Sequence, residues 1–98
     1  MLKKRYLKSR NSVQVTFYTA EAINADSICL VGDFNDWDET ATPMTPLKDG
    51  RFKVMLELEP ERDYEFRYLV DGEEWHNDWE ADCYVSNIHG SDNCVVNT

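Results

Sequence analysis

Alternation of apolar and polar side chains is the sequence feature that most restricts how this chain can fold. It is clearest over residues 64–70 and recurs over 13–18 and 52–58. Such a period of two places one set of side chains in a core and the other at the surface of a β-strand. Short apolar runs at 27–31 and 94–96 predict two further strands. The sequence therefore predicts an antiparallel β-sandwich.

Turn residues separate these predicted strands. Asp71-Gly72 directly follows the fourth strand, and an Asp-Gly pair is a strong signal for a β-hairpin. We expect at most a helical turn, within residues 21–26. The stretches 33–48 and 75–93 carry no alternation and are predicted to be long irregular loops, where binding residues tend to lie.

A length of 98 residues suits a single domain. Residues 12–98 are predicted to form the sandwich, and residues 1–11 a basic arm that leads into it as a solvated segment. From Asn11 onward five basic residues face nineteen acidic ones. Because such a body repels phosphate groups, nucleic acid is not an expected partner. No apolar run approaches the roughly 20 residues of a membrane helix, so no membrane partner is expected, and with no secretory signal the expected location is the cytoplasm.

The three cysteines are widely spaced and include no Cys-x-x-Cys pair, so they are predicted to be buried, reduced thiols. Neither a metal nor any other cofactor is expected. Acidic residues crowd the segment 33–39, which opens two alternatives. A calcium site is disfavoured because the glycine and glutamate of an EF-hand loop are missing. Glycoside hydrolysis is disfavoured because a small sandwich offers little enclosure to raise the pKa of an acid.

All three tryptophans, Trp37, Trp75 and Trp79, lie in or beside the predicted loops. Sugar rings present apolar faces and a rim of hydroxyl groups, so sugar sites combine exposed aromatic plates with fixed polar groups. Arg67 lies on the predicted outward face of its strand and would donate hydrogen bonds. Asn93 would supply an amide. The ordinary alternatives are that the tryptophans belong to the core, that Arg67 forms a surface ion pair and that Asn93 shapes a turn.

Two motifs give these residues a context. The first is G-x-F-N-x-W at 32–37, and the second is F-x-Y-x-V-D-G at 66–72, followed by Trp75. In this order and spacing they resemble carbohydrate-binding module family 48, the isoamylase N-terminal, early-set type of immunoglobulin-like domain, which implies an immunoglobulin-like β-sandwich. Related domains accompany glycoside hydrolase family 13 enzymes and form the glycogen-binding domain of the AMP-activated protein kinase beta subunit. The resemblance covers about residues 12–97, and the chain looks most like the short stand-alone bacterial members.

The resemblance implies a non-catalytic domain that binds α-glucan, such as glycogen, starch-like chains or malto-oligosaccharides. It implies that Trp37 and Trp75 stack on glucose rings. Arg67 would contact hydroxyl groups, and Asn93 would hydrogen-bond the sugar. The alternative is a protein-interaction or regulatory module of the same fold that binds no sugar.

Overall fold

A computed structural model describes residues 1–20, 25–78, 80–87 and 90–98. Its strands are β1 (Leu2–Leu7), β2 (Ser12–Tyr18), β3 (Ile28–Gly32), β4 (Thr45–Pro46), β5 (Phe52–Leu58), β6 (Asp63–Val70), β7 (Glu74–His76), β8 (Cys83–Ser86) and β9 (Asp92–Asn97). Short 3₁₀ helices occupy Lys8–Arg10 and Asp33–Asn35. Neither of these helices, the ones found in the described residues, could cross a lipid bilayer. Most of the helical turn predicted at 21–26 falls outside the described residues.

The strands form two antiparallel sheets. Sheet A has the order β1-β2-β5-β4, and sheet B has the order β3-β6-β9-β8 with β7 paired to β6. The five strands expected from the sequence are all present, and the predicted all-β sandwich is confirmed. The Asp71-Gly72 hairpin is also confirmed, since β6 and β7 pair from Val70↔Glu74 to Tyr68↔His76. Asp71 and Gly72 have φ angles of 54° and 70°, which a tight turn of this kind requires.

The core lies between the sheets and follows the alternation of the sequence. In β6 the side chains of Phe66, Tyr68 and Val70 are buried, and those of β2 at Val13, Val15 and Phe17 face them from sheet A. The Phe17 and Phe66 rings meet edge to face, with their centroids 5.1 Å apart. The other side chains of β6, at Glu65, Arg67 and Leu69, consequently lie on the outer face of sheet B.

The basic segment at the start of the chain is a strand, and the prediction of a solvated leader is wrong. β1 pairs with β2 from Leu2↔Phe17 to Leu7↔Ser12. Leu2 packs against the core, and the Lys4 ammonium group pairs with Asp82 at 2.5 Å. The run of cations concealed the strand, because an edge strand needs few apolar residues and is commonly charged.

Three more strands interrupt the stretches predicted to be irregular, namely β4, β7 and β8. Each has four residues or fewer, which is too short for alternation to stand out. The prediction of buried thiols also needs correction. Cys94 is buried and Cys29 is half-buried, but Cys83 is exposed because it lies on β8, an edge strand.

Gly32 marks a close approach between β3 and β6. A methyl group at this position would lie 2.5 Å from the Glu65 carbonyl oxygen and 2.9 Å from the Phe66 Cβ and a Phe34 ring carbon. The φ of Gly32 is −175°, so extended backbone here suits any residue. The glycine is therefore required by space, and it allows the first motif to begin flush against β6.

We expect Gly32→Ala to destabilise the fold by about 1–3 kcal/mol, the usual cost of overpacking, because the contacted carbonyl belongs to a paired strand and has little freedom to move. Urea unfolding measures the change. Gly32→Ser is the comparison, because its larger side chain meets the same atoms and should cost more than alanine. A Gly32→Ala variant as stable as the parent chain would contradict the steric explanation.

A polar cluster crosses the edge of the core around Asp78, which is fully buried. The Tyr68 hydroxyl donates to Asp78 Oδ2 at 2.7 Å, and the Met1 ammonium group donates to the same oxygen. The Asp78 N–H donates to Cys94 Sγ at 3.0 Å. Burial raises the pKa of Cys94 to about 11. Burial, together with the Asp78 carboxylate, raises the pKa of Tyr68 well above 10.

These shifts predict a loss of stability in alkali. The folded chain holds the Cys94 proton up to about pH 11, whereas a free thiol releases it near pH 9. Because the folded state binds more protons across this window, the free energy of unfolding falls as the pH rises, by about 2 kcal/mol. Cys94→Ala should flatten the decline between pH 9 and 11 in urea-unfolding series. Cys83→Ala, at an exposed thiol, should leave it unchanged, and an unaltered slope in Cys94→Ala would contradict the assignment.

Candidate functional site

The loop that follows β3 is anchored to the sandwich by Phe34. Its ring lies 5.7 Å from that of Phe17 and 6.1 Å from that of Tyr64, measured between centroids. Phe34 is thus an extension of the core beyond the end of the strand. The aromatic residue of the first motif fixes where the loop leaves sheet B.

Asn35 ties the two sides of the same loop together. Its Nδ2 donates to the Leu30 carbonyl and to Thr42 Oγ1, both at 2.9 Å. Its Oδ1 accepts the Gly32 N–H at 3.1 Å. The Asn35 side-chain amide therefore satisfies backbone groups of Leu30 and Gly32 at the end of β3.

Trp37 is held in an unusual backbone conformation. Its φ is 56°, and that of Asp36 before it is also 56°. Two successive left-handed residues are costly when neither is glycine, and for a bulky side chain the cost is about 1–3 kcal/mol. The Trp37 N–H donates to the Gly32 carbonyl at 2.9 Å, and its Nε1–H donates to Asp33 Oδ1 at 2.8 Å. The half-buried indole is therefore fixed at both its backbone and its ring.

Trp75 and Arg67 meet on the outer face of sheet B. Trp75 pairs with Leu69 across β6 and β7, and its side chain is 39% exposed. The Arg67 guanidinium carbon lies 5.8 Å from the centre of the indole, within cation–π range. This contact with an exposed indole confirms the predicted outward placement of Arg67. No carboxylate in the described part of the chain forms an ion pair with Arg67, so the ordinary ion-pair alternative is not realised there.

Arg67 occupies the point where β6 changes its neighbour. β6 pairs with β9 up to Phe66 and with β7 from Tyr68 onward. Asn77 spans the junction, because its Oδ1 accepts the Arg67 Nε–H at 2.9 Å and its Nδ2 donates to the Asp92 carbonyl at 3.0 Å. This contact uses one of the five guanidinium N–H groups. The four on the terminal nitrogens have no acceptor among the described residues.

Asn93 is almost buried, with 8% of its surface exposed. Its Nδ2 donates to Glu65 Oε1 at 3.1 Å, and its Oδ1 accepts from Asn87 Nδ2 at 3.1 Å. One amide N–H of Asn93 has no acceptor among the described residues. Asn93 therefore lies in a hydrogen-bonded row with Glu65 and Asn87.

The four predicted site residues fall into two connected groups. Trp75 and Arg67 are in direct contact. Asp33 links Trp37 to β6, because its Oδ1 binds the indole and its Oδ2 accepts the Glu65 N–H at 2.8 Å. Glu65 in turn holds Asn93. Trp79, the remaining tryptophan, lies outside the described residues.

Comparison with known proteins identifies the family of this chain. A family model for the glycogen recognition site of AMP-activated protein kinase matches residues 13–98. The chain belongs to this family. It is also 43% identical, over 49 residues, to the 1,4-alpha-glucan branching enzyme GlgB of Aquifex aeolicus (strain VF5). That similarity covers 48% of this chain and 8% of the enzyme, so the chain spans a small part of that relative.

The motifs of this family combine residues that hold the fold with residues of the candidate site. Its first motif supplies a close-packed glycine, a core anchor, a loop amide and an indole. Sequence reasoning found the indole but missed the contributions of Asp33, Glu65 and Asn77. A carboxylate flanked by other acidic residues gives no signal of its own, and the role of Asn77 depends on which strand faces β6. Only the pairing register reveals these contacts.

Two carboxylates of the acidic loop at 33–39 accept hydrogen bonds from backbone N–H groups. Asp38 Oδ1 accepts the N–H and the hydroxyl of Thr40 at 2.9 and 3.0 Å, and these hydrogen bonds lower the pKa of Asp38. Asp33 is engaged by Trp37 and by the backbone of β6. Within residues 1–20, 25–78, 80–87 and 90–98, no three potential metal-ligating side chains cluster.

Asp33 should therefore position Trp37, and Asp33→Asn tests this. An asparagine retains one acceptor oxygen but turns an N–H₂ group toward one of the two donors. We expect a loss of about 1–3 kcal/mol in unfolding free energy and a weaker near-ultraviolet circular dichroism signal from the indole. Asp36→Asn is the matched control, because this neighbouring carboxylate is exposed and asparagine tolerates a left-handed φ. Indistinguishable spectra and stabilities for the two variants would remove Asp33 from this role.

Proposed function

We propose that this chain is a non-catalytic module that binds α-glucan chains on the outer face of sheet B. Trp37 and Trp75 are the stacking platforms for glucose rings. Arg67 donates hydrogen bonds to hydroxyl groups, and the remaining N–H of Asn93 contributes a further donor at the rim. Glycogen, starch-like chains and malto-oligosaccharides are the ligands.

The observation that carries this proposal is the pair formed by Trp75 and Arg67. An exposed indole offers an apolar plate, and the guanidinium beside it has four N–H donors without acceptors in the described residues. The cation–π contact and the Asn77 hydrogen bond hold the guanidinium in one orientation. Restricting both groups before binding lowers the entropy that a ligand must remove, which matters most for a shallow site.

The charge of the surroundings favours a neutral ligand. The chain carries a net charge of −9, and the carboxylates of Asp33 and Glu65 flank the site. An anionic ligand would be repelled by them. A sugar hydroxyl group both donates and accepts, so it suits a site that offers guanidinium donors and carboxylate acceptors side by side.

Two observations support α-glucan and the absence of catalysis. The matching family is a carbohydrate-binding one, and the related enzyme is named for its action on 1,4-alpha-glucan. A glycosidase needs an acid whose pKa is raised. In the acidic loop the Thr40 hydrogen bonds act on Asp38 in the opposite direction and lower its pKa.

A second function, docking of an acidic protein partner, is favoured by the outer face of sheet A. Tyr18 lies between two cations there: Lys3 Nζ is 5.6 Å and the Arg51 guanidinium carbon 5.0 Å from its ring centre. This face lies on the opposite side of the sandwich from the candidate site. The two functions are therefore compatible in one molecule.

The test is calorimetric titration of the chain with maltoheptaose and glycogen, with a cello-oligosaccharide of similar length as the control ligand. We expect saturable binding of the α-linked ligands alone. Trp37→Ala and Trp75→Ala should each weaken it tenfold or more, which corresponds to about 1.4 kcal/mol of lost stacking.

Tyr6→Ala is the matched control variant, because Tyr6 is 54% exposed on β1, away from the site. Thermal unfolding confirms that each variant is folded before it is titrated. A folded Trp75→Ala variant with unchanged affinity would contradict the stacking role. If neither maltoheptaose nor glycogen binds, glucan recognition is excluded and the docking function is left.

A further inference from the structure

The strands at the edges of the sheets differ in how they are protected against pairing with another chain. Among the described residues, β1 carries cations at 3–5, and β4 has two residues that include Pro46. Residues 42–44 cover β3, since the Leu30 N–H donates to the Thr42 carbonyl at 2.9 Å. The short strand β7 carries Glu74. Charge, proline, shortness and coverage are the usual protections of a sheet edge.

β8 has none of these protections apart from being short. Its sequence is Cys-Tyr-Val-Ser, with no charge, no proline and no glycine. All four residues are exposed, and Tyr84 and Val85 retain 44% and 38% of their surface. Tyrosine and valine also favour extended structure. β8 is thus an apolar strand at the open edge of sheet B.

The backbone groups of β8 are arranged to accept a further strand. The Asn87 N–H donates to the Ser91 carbonyl at 2.8 Å, which fixes the alternation of the β8–β9 ladder. Cys83 and Val85 therefore direct their N–H and C=O groups toward β9, and Tyr84 and Ser86 direct theirs outward. The outward groups have no partner among the described residues.

We infer that a second copy of this chain pairs with β8 in antiparallel orientation. The pairing that satisfies the outward groups places Tyr84 of each copy opposite Ser86 of the other, which makes four main-chain hydrogen bonds. Val85 then faces Val85 of the second copy on the two-fold axis. The donors and acceptors of one edge are self-complementary in this register, as an isologous interface requires.

Charge and size set how strong this association is. Two molecules of charge −9 repel each other, but β8 itself is uncharged. Of the carboxylates beside β8, Asp82 is bound by Lys4 and by the Asn97 N–H at 2.7 Å. The Asp92 carboxylate lies against Ser86, whose hydroxyl donates to Asp92 Oδ1 at 3.4 Å. Two four-residue strands bury less than the roughly 800 Å² per partner of a standard interface, so the dimer is weak. Salt screens the long-range repulsion between the two molecules and therefore strengthens the dimer.

The dimer would extend sheet B across both molecules and turn their outer faces to the same side. If the proposed glucan site is correct, a dimer presents two sites to one polymer, and its affinity for glycogen rises through multivalency. Ser86→Pro, which removes an outward N–H and spares the ladder to β9, should then weaken binding to glycogen and leave maltoheptaose unaffected. An absence of all sugar binding would contradict the proposed function and leave the dimer intact.

Sedimentation velocity of the full chain over a range of concentrations and salt tests the dimer directly. We expect a monomer–dimer equilibrium that salt strengthens. Val85→Lys should remain monomeric at concentrations where the parent chain is half dimeric. Met55→Lys is the matched control, because Met55 is 56% exposed on β5 of sheet A and should leave the equilibrium unchanged.

Disulfide trapping tests the register in a background that carries Cys29→Ser and Cys83→Ser. The Cα atoms of two non-hydrogen-bonded residues opposite each other lie about 4.5 Å apart, within the range for a disulfide. Val85→Cys should therefore cross-link under mild oxidation, whereas Met55→Cys should not. The inference is overturned if the chain stays monomeric at every concentration and salt tested. In that case a strand of another protein is the remaining candidate to pair with β8. Equal cross-linking of the two variants also overturns the inference.

Discussion

The register of β6 is the constraint on which the rest of the structure depends. A shift of one residue would exchange the two faces of the strand. The aromatic side chains at Phe66 and Tyr68 would then leave the core, and Arg67 would enter it. β6 is also the strand that pairs with β3, β7 and β9, so its register sets theirs. The candidate site and the core are thus two consequences of the same alternation.

Much of the fold could be predicted because five strands are long enough to alternate or to form an apolar run between turn residues. The others were missed for physical reasons. β1 is an edge strand rich in lysine and arginine, and β7 and β8 have three or four residues. Their pairing is decided by tertiary contacts, not by local propensity. The exposure of Cys83 was missed for the same reason, since it follows from β8 lying at the edge of sheet B.

The chemically distinctive side chains of the candidate site could be predicted, but the contacts that hold them could not. Trp37, Trp75 and Arg67 stand out by residue type and by their motifs. Asp33 and Asn77 do not, because each acts through atoms that only the pairing of β6 brings near. The strained backbone of Trp37 is likewise invisible in the sequence. Strain of this kind persists where the surroundings fix it, and here Gly32 and Asp33 supply the hydrogen bonds.

The junction between β7 and β9 gives Trp37 and Trp75 different freedom to move. Trp37 is joined to the core through the loop that Phe34 anchors. Trp75 lies on three residues that pair with β6, and the contacts to β9 come from the two residues that follow, through the Asn77 side chain and the Asp78 N–H. Segments that bury little apolar surface open locally at a small fraction of the global unfolding free energy. Amide hydrogen exchange would therefore be fast at β7 and slow at β3. Under the proposed function, the Trp37 side of the site would be rigid and the Trp75 side would adjust to the curvature of the bound glucan.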